Sequence, residues 1–193
     1  MSDMKTGMVA VCLGLALAGP GLSEPLGGNV AAWELFAPEG IAVEMVGASA
    51  LSPQNAALLQ QVASGYAYYA AVAIAPGEDL LKSEATMLVG NHHSVESASK
   101  LALEGCEAKR TAGPACIIAA LVRPERWKPR DFQLSQDATK AFDSFYGRKG
   151  VRALAISPST GSFALGGGFR PSAKALKECA ANGASDCTVV IVD

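Results

Sequence analysis

Apolar residues of this chain form short runs that predict β-strands, and the runs fall into two similar sets. Residues 68–75 and 151–157 are β-prone runs, and Pro76 and Pro158 end them. A shorter run follows each of them. A continuously apolar run completes each set, which is typical of a strand covered on both faces. The second runs are 84–89 and 162–165, and the third runs are 115–122 and 187–192.

Apolar residues at helical spacing predict the helices. In the first set, Ser94 is a candidate N-cap. The apolar face of the helix that follows consists of Ala98, Leu101, Ala102 and Gly105. Residues 52–63 predict another helix, because a serine cap is followed by proline at the first position, and residues 135–146 predict a third. Residues 30–36 and 41–46 predict a hairpin around a Pro-Glu-Gly turn.

The two sets share motifs, which indicates an internal duplication. Both contain S-x-x-A-L-x-x-C, ending at Cys106 and at Cys179, and both carry Ala-Ile-x-Pro before it, ending at Pro76 and Pro158. The predicted fold is therefore α/β (α+β), with a mixed sheet built from two strand-strand-helix-strand repeats in a pseudo-symmetric arrangement. The predicted single globular domain, 24–193, divides into a hairpin and helix (24–65), repeat 1 (66–122), a linker with a helix (123–150) and repeat 2 (151–193).

The first 23 residues have the three-part layout of a secretory signal peptide. Lys5 gives a positive start, residues 8–19 are apolar and uncharged, and small residues follow. Cleavage after Ala18 or after Ser23 fits, and we favour Ser23 because a Gly-Pro pair ends the apolar run before it. The alternative is a membrane anchor, but a run of about 12 residues is short of the roughly 20 that span a bilayer. The sequence predicts a periplasmic or secreted protein, with no membrane attachment after cleavage.

The cysteine count supports export. Five cysteines become four when Cys12 leaves with the signal peptide, and an even count in an exported chain indicates disulfides. Each nearby pair joins the end of a predicted helix to the start of a predicted strand, so we favour Cys106–Cys116 and Cys179–Cys187. The other two connectivities stay open. The absence of C-x-x-C argues against a four-cysteine metal site, and no metal is predicted.

Charge narrows the choice of partners. The net charge of −2 gives no support for nucleic-acid binding. Basic residues nevertheless gather at 123–130 around Trp127. We name Trp127, Arg126 and Arg130 as a possible surface for an anionic partner, with the tryptophan as its anchor. The alternative is a solvated linker whose tryptophan packs inward.

His92 and His93 are the two histidines and the weak polar candidates for a site. As catalysts or metal ligands they would need Glu84, Glu96 or Asp79 nearby. Adjacent residues of a strand point to opposite faces, so a polar loop that enters a helix is the simpler interpretation. No nucleophile elbow, phosphate-binding loop, dinucleotide fingerprint or H-E-x-x-H motif occurs in the sequence. No catalytic residue and no cofactor are predicted.

The second set reads A-I-S-P-S-T-G-S-F-A-L-G-G-G, then A-L-K-E-C, then D-C-T-V-V-I-V-D. It resembles a family of small secreted bacterial domains of unknown function with paired cysteines, and residues 67–122 resemble the family more loosely. The whole chain, including L-F-A-P-E-G-I-A-V-E-M at 35–45, is similar to short exported proteins of alphaproteobacteria. Some of these carry a name taken from 5-aminolevulinate synthase. Neither resemblance implies a catalytic residue here.

The borrowed name implies a pyridoxal-phosphate enzyme with a Schiff-base lysine and a phosphate cradle. The lysines of this chain lie in predicted linkers or at polar helix positions. The glycine cluster 166–168 predicts a tight turn before a helix at Pro171 rather than a cradle. Synthase-like activity therefore stays an alternative by name only.

Three functional hypotheses follow. The leading one is a non-enzymatic binding protein of the periplasm or cell envelope, with an unknown protein or envelope component as its partner. It depends on export, disulfides, duplication and the missing catalytic motifs. An envelope hydrolase that uses His92 or His93 is the second. An immunity or inhibitor protein against a secreted toxin is the third.

Overall fold

A computed structural model of the chain describes residues 24–146 and 150–193, so the predicted signal peptide lies outside the described residues. In chain order, the elements are α1 (Gly28–Glu34), β1 (Ile41–Met45), a 3-10 turn (Ala48–Ala50), α2 (Pro53–Ala63), β2 (Ala70–Ile74), β3 (Met87–Val89), α3 (Val95–Lys109), β4 (Ile117–Pro124), α4 (Gln136–Tyr146), β5 (Arg152–Ile156), β6 (Phe163–Gly167), α5 (Pro171–Ala181) and β7 (Thr188–Val192). The predicted helices at 52–63 and 135–146 are confirmed.

Two units of the chain have the same order of elements and the same pairing of strands. Unit 1 is residues 68–124 and contains β2, β3, α3 and β4; unit 2 is residues 151–193 and contains β5, β6, α5 and β7. In unit 1 the central strand β2 pairs with β3 and with β4. In unit 2 the central strand β5 pairs with β6 and with β7. All four pairings are antiparallel.

The α+β class is confirmed, while the strands form two antiparallel sheets instead of one mixed sheet. Their orders are β1-β4-β2-β3 and β6-β5-β7. A mixed sheet would contain at least one pair of adjacent parallel strands. In both units, however, the first strand lies between the two strands that the helix connects. The connected strands are parallel but not adjacent, so no parallel ladder forms within either unit.

The two sheets are irregular at matching places. The register between β2 and β4 shifts between Val72 and Ala73, and the register between β5 and β7 shifts between Leu154 and Ala155. Ala73 and Ala155 each open the Ala-Ile-x-Pro motif of their unit. Because a bulge increases the local twist of a sheet, the third strand of each unit bends at the same position.

The local disulfide pairing is confirmed. The Cα atoms of Cys106 and Cys116 are 6.2 Å apart, and those of Cys179 and Cys187 are 6.1 Å apart. Each bridge joins the last turns of a helix to the strand that follows. The two disulfides indicate an oxidising, extracytoplasmic location. Within the described residues, no helix is both long and apolar enough to cross a membrane.

The sheet of unit 1 is covered on both faces. Ala71 and Ala73 of β2 belong to a core cluster with α3, and alternate residues of the same strand belong to a second cluster with α2. Those alternate residues are Ala70, Val72 and Ile74. Every residue of β2 is buried. This double cover explains why the strand reads as an uninterrupted apolar run.

Unit 2 repeats this layering with different helices. Ala153 and Ala155 of β5 pack with α5, while Leu154 and Ile156 on the opposite face belong to a cluster that includes Phe142 of α4 and Ala31 of α1. Alanine on the α5 side keeps that helix close to the sheet. The larger side chains of the opposite face fill the space under two helices.

The predicted hairpin of residues 30–36 and 41–46 is wrong. The first segment forms α1, and β1 pairs antiparallel with β4. Two consecutive alanines favour a helix, and α1 needs only Ala31 on its buried face to join the core of unit 2. The alternation of Ile41, Val43 and Met45 does produce a strand, but its partner is distant in sequence.

Helix α4 bridges the two units. Three consecutive residues at its start each hydrogen-bond to unit 1, at 2.9 to 3.0 Å: Ser135 with His93, Gln136 with Tyr68, and Asp137 with Asn91. The middle of the helix contributes Phe142 to the core of unit 2. The polar start of α4 therefore fixes the position of one unit relative to the other.

The units also touch at Gly161, in the turn between β5 and β6. Its φ is +76°, and a Cβ there would lie 2.7 Å from the carbonyl oxygen of Asn91 and 3.3 Å from the Cα of His92. A side chain at this position has neither an easy backbone conformation nor room.

We expect Gly161→Ala to reduce the free energy of unfolding by at least about 1 kcal/mol more than Gly168→Ala does, because its new methyl group would collide with Asn91. Gly168 has a similar φ of +71°, and a Cβ there would have no other atom within 4 Å. The Gly168→Ala variant therefore measures only the cost of a positive φ for a residue with a Cβ, which is about 1–2 kcal/mol. Denaturant unfolding of both variants measures the difference, and equal losses would contradict the contact between the units.

Candidate functional site

The two histidines lie where the units meet, and each is only 5% exposed. The backbone N–H of His92 donates to the carbonyl of Tyr69 at 3.1 Å. The ring of His93 lies between α4 and unit 2. Its Nδ1 accepts a hydrogen bond from the backbone N–H of Ser135 at 3.0 Å, and its Nε2 is 3.2 Å from the carbonyl oxygen of Ser162.

These contacts fix His93 in its neutral form. Nδ1 accepts from Ser135, so the ring proton lies on Nε2 and is donated to Ser162. Burial lowers the pKa of His93 to about 4, and the neighbouring His92 lowers it further, while the Ser162 carbonyl and Asp186 act in the opposite direction. Both ring nitrogens of His93 therefore form structural hydrogen bonds.

His92 does not form a nucleophile–base pair with Ser97. The two groups are 3.3 Å apart, but the Ser97 hydroxyl donates its proton to the carbonyl of Pro158 at 2.7 Å. A serine nucleophile must instead donate to its base. Burial also lowers the pKa of His92. This geometry gives no support to a hydrolase that uses either histidine.

A second polar cluster, in the turn after β5, is also structural. Ser157 is fully buried and donates its hydroxyl proton to Asp186. The hydroxyl of Thr160 donates to Ser157 at 2.8 Å, and the backbone N–H of Ser159 donates to Asp186 at 3.0 Å. Burial acts to raise the pKa of Asp186, but the hydrogen bonds from Ser157 and Ser159 lower it overall. The Ser-Pro-Ser-Thr-Gly segment thus forms a hydrogen-bonded turn between β5 and β6.

The predicted basic surface is largely engaged within the molecule. Trp127 is half-buried against the core of unit 1, and its indole N–H donates to Gln133 at 3.4 Å. The guanidinium of Arg123 lies over the indole ring at 4.2 Å from its centroid. Arg126 is exposed. Arg130 donates to the backbone carbonyls of Glu34 and, at 2.8 Å, of Leu35. The three predicted residues therefore do not form one open patch.

A concavity with a mostly apolar lining lies between α1 and β7. It has a volume of about 330 Å³, and we call it the α1–β7 groove. Its apolar lining consists of Leu26, Val30, Phe132, Val189 and Val190, and the remaining lining residues are Glu24, Glu34, Asp131 and Thr188. Several of the apolar residues also border the core of unit 2, so the groove opens onto the edge of that core.

Helix α1, one wall of the groove, is fixed at both ends. At its start, the N–H of Gly28 donates to the carboxylate of Asp193 at 3.0 Å. A Cβ on Gly28 would lie 1.6 Å from an atom of the Tyr146 ring, so a larger residue there would require that ring to move. At its end, Arg130 caps the carbonyls of Glu34 and Leu35, where a cation is favourable. The groove is therefore a preformed feature of the fold.

The groove is acidic as well as apolar. Glu24, Glu34 and Asp131 line it, no Lys, Arg or His does, and none of the three carboxylates belongs to an ion pair within residues 24–146 and 150–193. Trp33, which is 87% exposed, lies on the same helix face as Val30, three residues away. An exposed tryptophan beside an apolar groove is a typical anchor for a partner.

Sequence reasoning missed this site, because the expected hairpin hid the helix that carries Val30, Trp33 and Glu34. The available signal was the excess of acids over bases in the first half of the chain, together with a tryptophan in a short segment rich in alanine. The contributions of Phe132 and β7 depend on contacts distant in sequence. No sequence pattern predicts that Phe132 and β7 line the same groove.

The described residues contain no group of three or more His, Cys, Asp or Glu side chains arranged to hold a metal ion. Comparison of the chain with family models, with curated proteins and with solved structures finds no match. The resemblance to secreted domains of unknown function therefore stays an expectation from the sequence, and the site must be judged from its own geometry.

We expect acid to destabilise the fold through His93. The unfolded imidazole binds a proton near its ordinary pKa of 6.5, but the folded one does so only near 4. The stabilisation is therefore complete above pH 6.5 and is lost progressively as the pH falls towards 4, by about 3 kcal/mol.

Denaturant unfolding of wild type and His93→Gln at pH 7.5 and pH 4.5 measures this effect. The variant should be less stable at pH 7.5, because Ser135 loses its acceptor, and its additional loss at pH 4.5 should be smaller than that of wild type. The same drop between the two pH values in both proteins would disprove the role of His93.

Proposed function

We propose that this chain is an exported, non-enzymatic binding protein of the periplasm or the extracellular space. Its binding site is the α1–β7 groove, and its ligand is an apolar, positively charged segment of a partner protein. The observation that carries this proposal is the combination of an apolar lining with three carboxylates that form no ion pair within the described residues.

The shape of the groove supports a peptide-sized ligand. Its volume of about 330 Å³ has room for a few side chains and is at the small end of ligand pockets. Apolar side chains of the ligand would contact Val30, Phe132 and Val189, which replaces exposed apolar surface with a packed interface. Lysine or arginine in the same segment would approach the carboxylates at the rim.

The histidine and serine clusters favour a binding protein over an enzyme. Each hydroxyl and imidazole considered as a catalyst is engaged in a structural hydrogen bond, and the clusters of His92, His93 and Ser157 do not line the groove. The two internal disulfides suit a stable binding scaffold that works outside the cytoplasm.

A defined peptide series tests the ligand class. An acetylated, amidated heptapeptide of alternating valine and lysine should bind at least tenfold more tightly than its valine–glutamate and serine–lysine counterparts. Isothermal titration at low salt measures the three affinities. Failure of the valine–lysine peptide to bind at millimolar concentration, or equal binding of all three, overturns the proposed function.

Removal of the rim carboxylates should weaken the same peptide about tenfold, because two opposite charges near the ligand are lost. The variant is Glu34→Gln/Asp131→Asn. The control is Glu104→Gln/Glu178→Gln, which changes the net charge equally at exposed helix positions away from the groove. An equal loss of affinity in both variants would mean that the overall charge, and not the groove, attracts the peptide.

Export itself has a direct test. The protein recovered from the exported fraction without reductant should begin at Glu24 and be four hydrogen atoms lighter than the same chain fully reduced. Intact-mass spectrometry before and after reduction measures both features. A full-length precursor with free thiols would contradict both export and the extracytoplasmic site of action.

A further inference from the structure

The third strands of the two units, β4 and β7, differ in how much of their outer edge is covered by the rest of the chain. By the matching registers, Ile117, Ile118 and Ala119 of β4 correspond to Thr188, Val189 and Val190 of β7. In unit 1 this outer edge is covered by other parts of the chain. In unit 2 it borders the α1–β7 groove.

The cover in unit 1 has two parts. All five residues of β1 pair with β4, from Met45 opposite Ala120 to Ile41 opposite Pro124, so this ladder ends next to Ala119. Gly47 continues the cover, and its N–H donates to the carbonyl of Ala119 at 3.1 Å. The fit is close, since a Cβ on Gly47 would lie 2.7 Å from the carbonyl oxygen of Ile118.

Unit 2 has one residue in place of this cover. The N–H of Leu26 donates to the carbonyl of Val190 at 2.9 Å, which matches the contact of Gly47 with Ala119, and the N–H of Val192 donates to Leu26 at 3.0 Å. This single bridge is the full extent of pairing on the outer side of β7 among the described residues. From Val190 back to Thr188, the edge faces the groove.

An edge strand presents unpaired backbone N–H and C=O groups that can bind another chain. Strand β1 shows that the outer edge of β4 accepts an extended segment at residues 120–124, directly beyond 117–119, and that the alternate apolar residues of this segment, Ile41, Val43 and Met45, extend the core. The groove has the matching apolar floor, because Leu26, Phe132 and Val190 border the core of unit 2.

We propose that the ligand segment binds as an added strand on the outer edge of β7 at residues 188–190. It places alternate apolar side chains in the groove and basic side chains beside Glu24, Glu34 and Asp131. This inference depends on the proposed function and specifies its binding mode: backbone hydrogen bonds give affinity, while the groove and its charges select the sequence.

A second copy of the chain is a poorer occupant. Pairing of two β7 edges would bring two sets of three carboxylates together, and among residues 24–146 and 150–193 no basic side chain lines the groove between them. Like charges across an interface disfavour association. The charge of the groove thus selects a basic partner.

Residue-resolved amide exchange of the processed protein tests the added strand, with the valine–lysine heptapeptide as the probe. At saturating peptide, at least one backbone amide within residues 188–190 should exchange at least tenfold more slowly. Amides of the edge strands β3 and β6 serve as the internal control and should not change. A fully N-methylated version of the peptide, which has no backbone donor, should bind at least tenfold more weakly.

The outcomes separate the two proposals. If the peptide binds and needs the rim carboxylates, but residues 188–190 gain no protection or the N-methylated peptide binds equally, the added strand is overturned and the proposed function stands. If the peptide does not bind, both fall. Protection of these amides in the free protein that is lost on dilution would assign the edge to a second copy and would overturn the basic partner.

Discussion

Three parts of the molecule meet at the imidazole of His93. The ring accepts a hydrogen bond from the first turn of α4 and donates one to the start of β6, while its own backbone belongs to the loop before α3. A neutral imidazole is the side chain that can accept at one nitrogen and donate at the other in this geometry. The relative position of the two units, and with it the position of α4 under the sheet of unit 2, depends on this arrangement.

The local features of the fold could be predicted from the sequence because their causes are local. The Ser-Pro start of α2 and the loop lengths between paired cysteines act within about ten residues, and each disulfide joins neighbouring elements. The sheet arrangement could not be predicted in the same way. Whether the strand after a crossover pairs with its predecessor or with an earlier strand depends on contacts between residues distant in sequence, such as Ala70 opposite Val122 and Ala153 opposite Val192.

The candidate site was harder to predict, for a similar reason. Trp127 and its basic neighbours form a conspicuous cluster in the sequence, yet the indole packs inward and Arg130 is used to cap α1. The residues that do form an open apolar surface, such as Val30 and Phe132, are separated by about a hundred positions. Residues that cluster in the sequence can be exposed together or packed into the core together. Only the tertiary contacts distinguish the two arrangements.

The bridge between Leu26 and β7, with the hydrogen bond from Gly28 to Asp193, brings the first and last described residues side by side. A short linker from Asp193 to Glu24 would therefore not cross the core, so a protein made of residues 24–193 is suited to circular permutation with new ends in an exposed loop elsewhere. The same closeness has a practical side for biochemistry. An affinity tag at either end would emerge beside the groove and compete for it, whereas a label on the exposed face of α3, near Lys100, would leave the groove open.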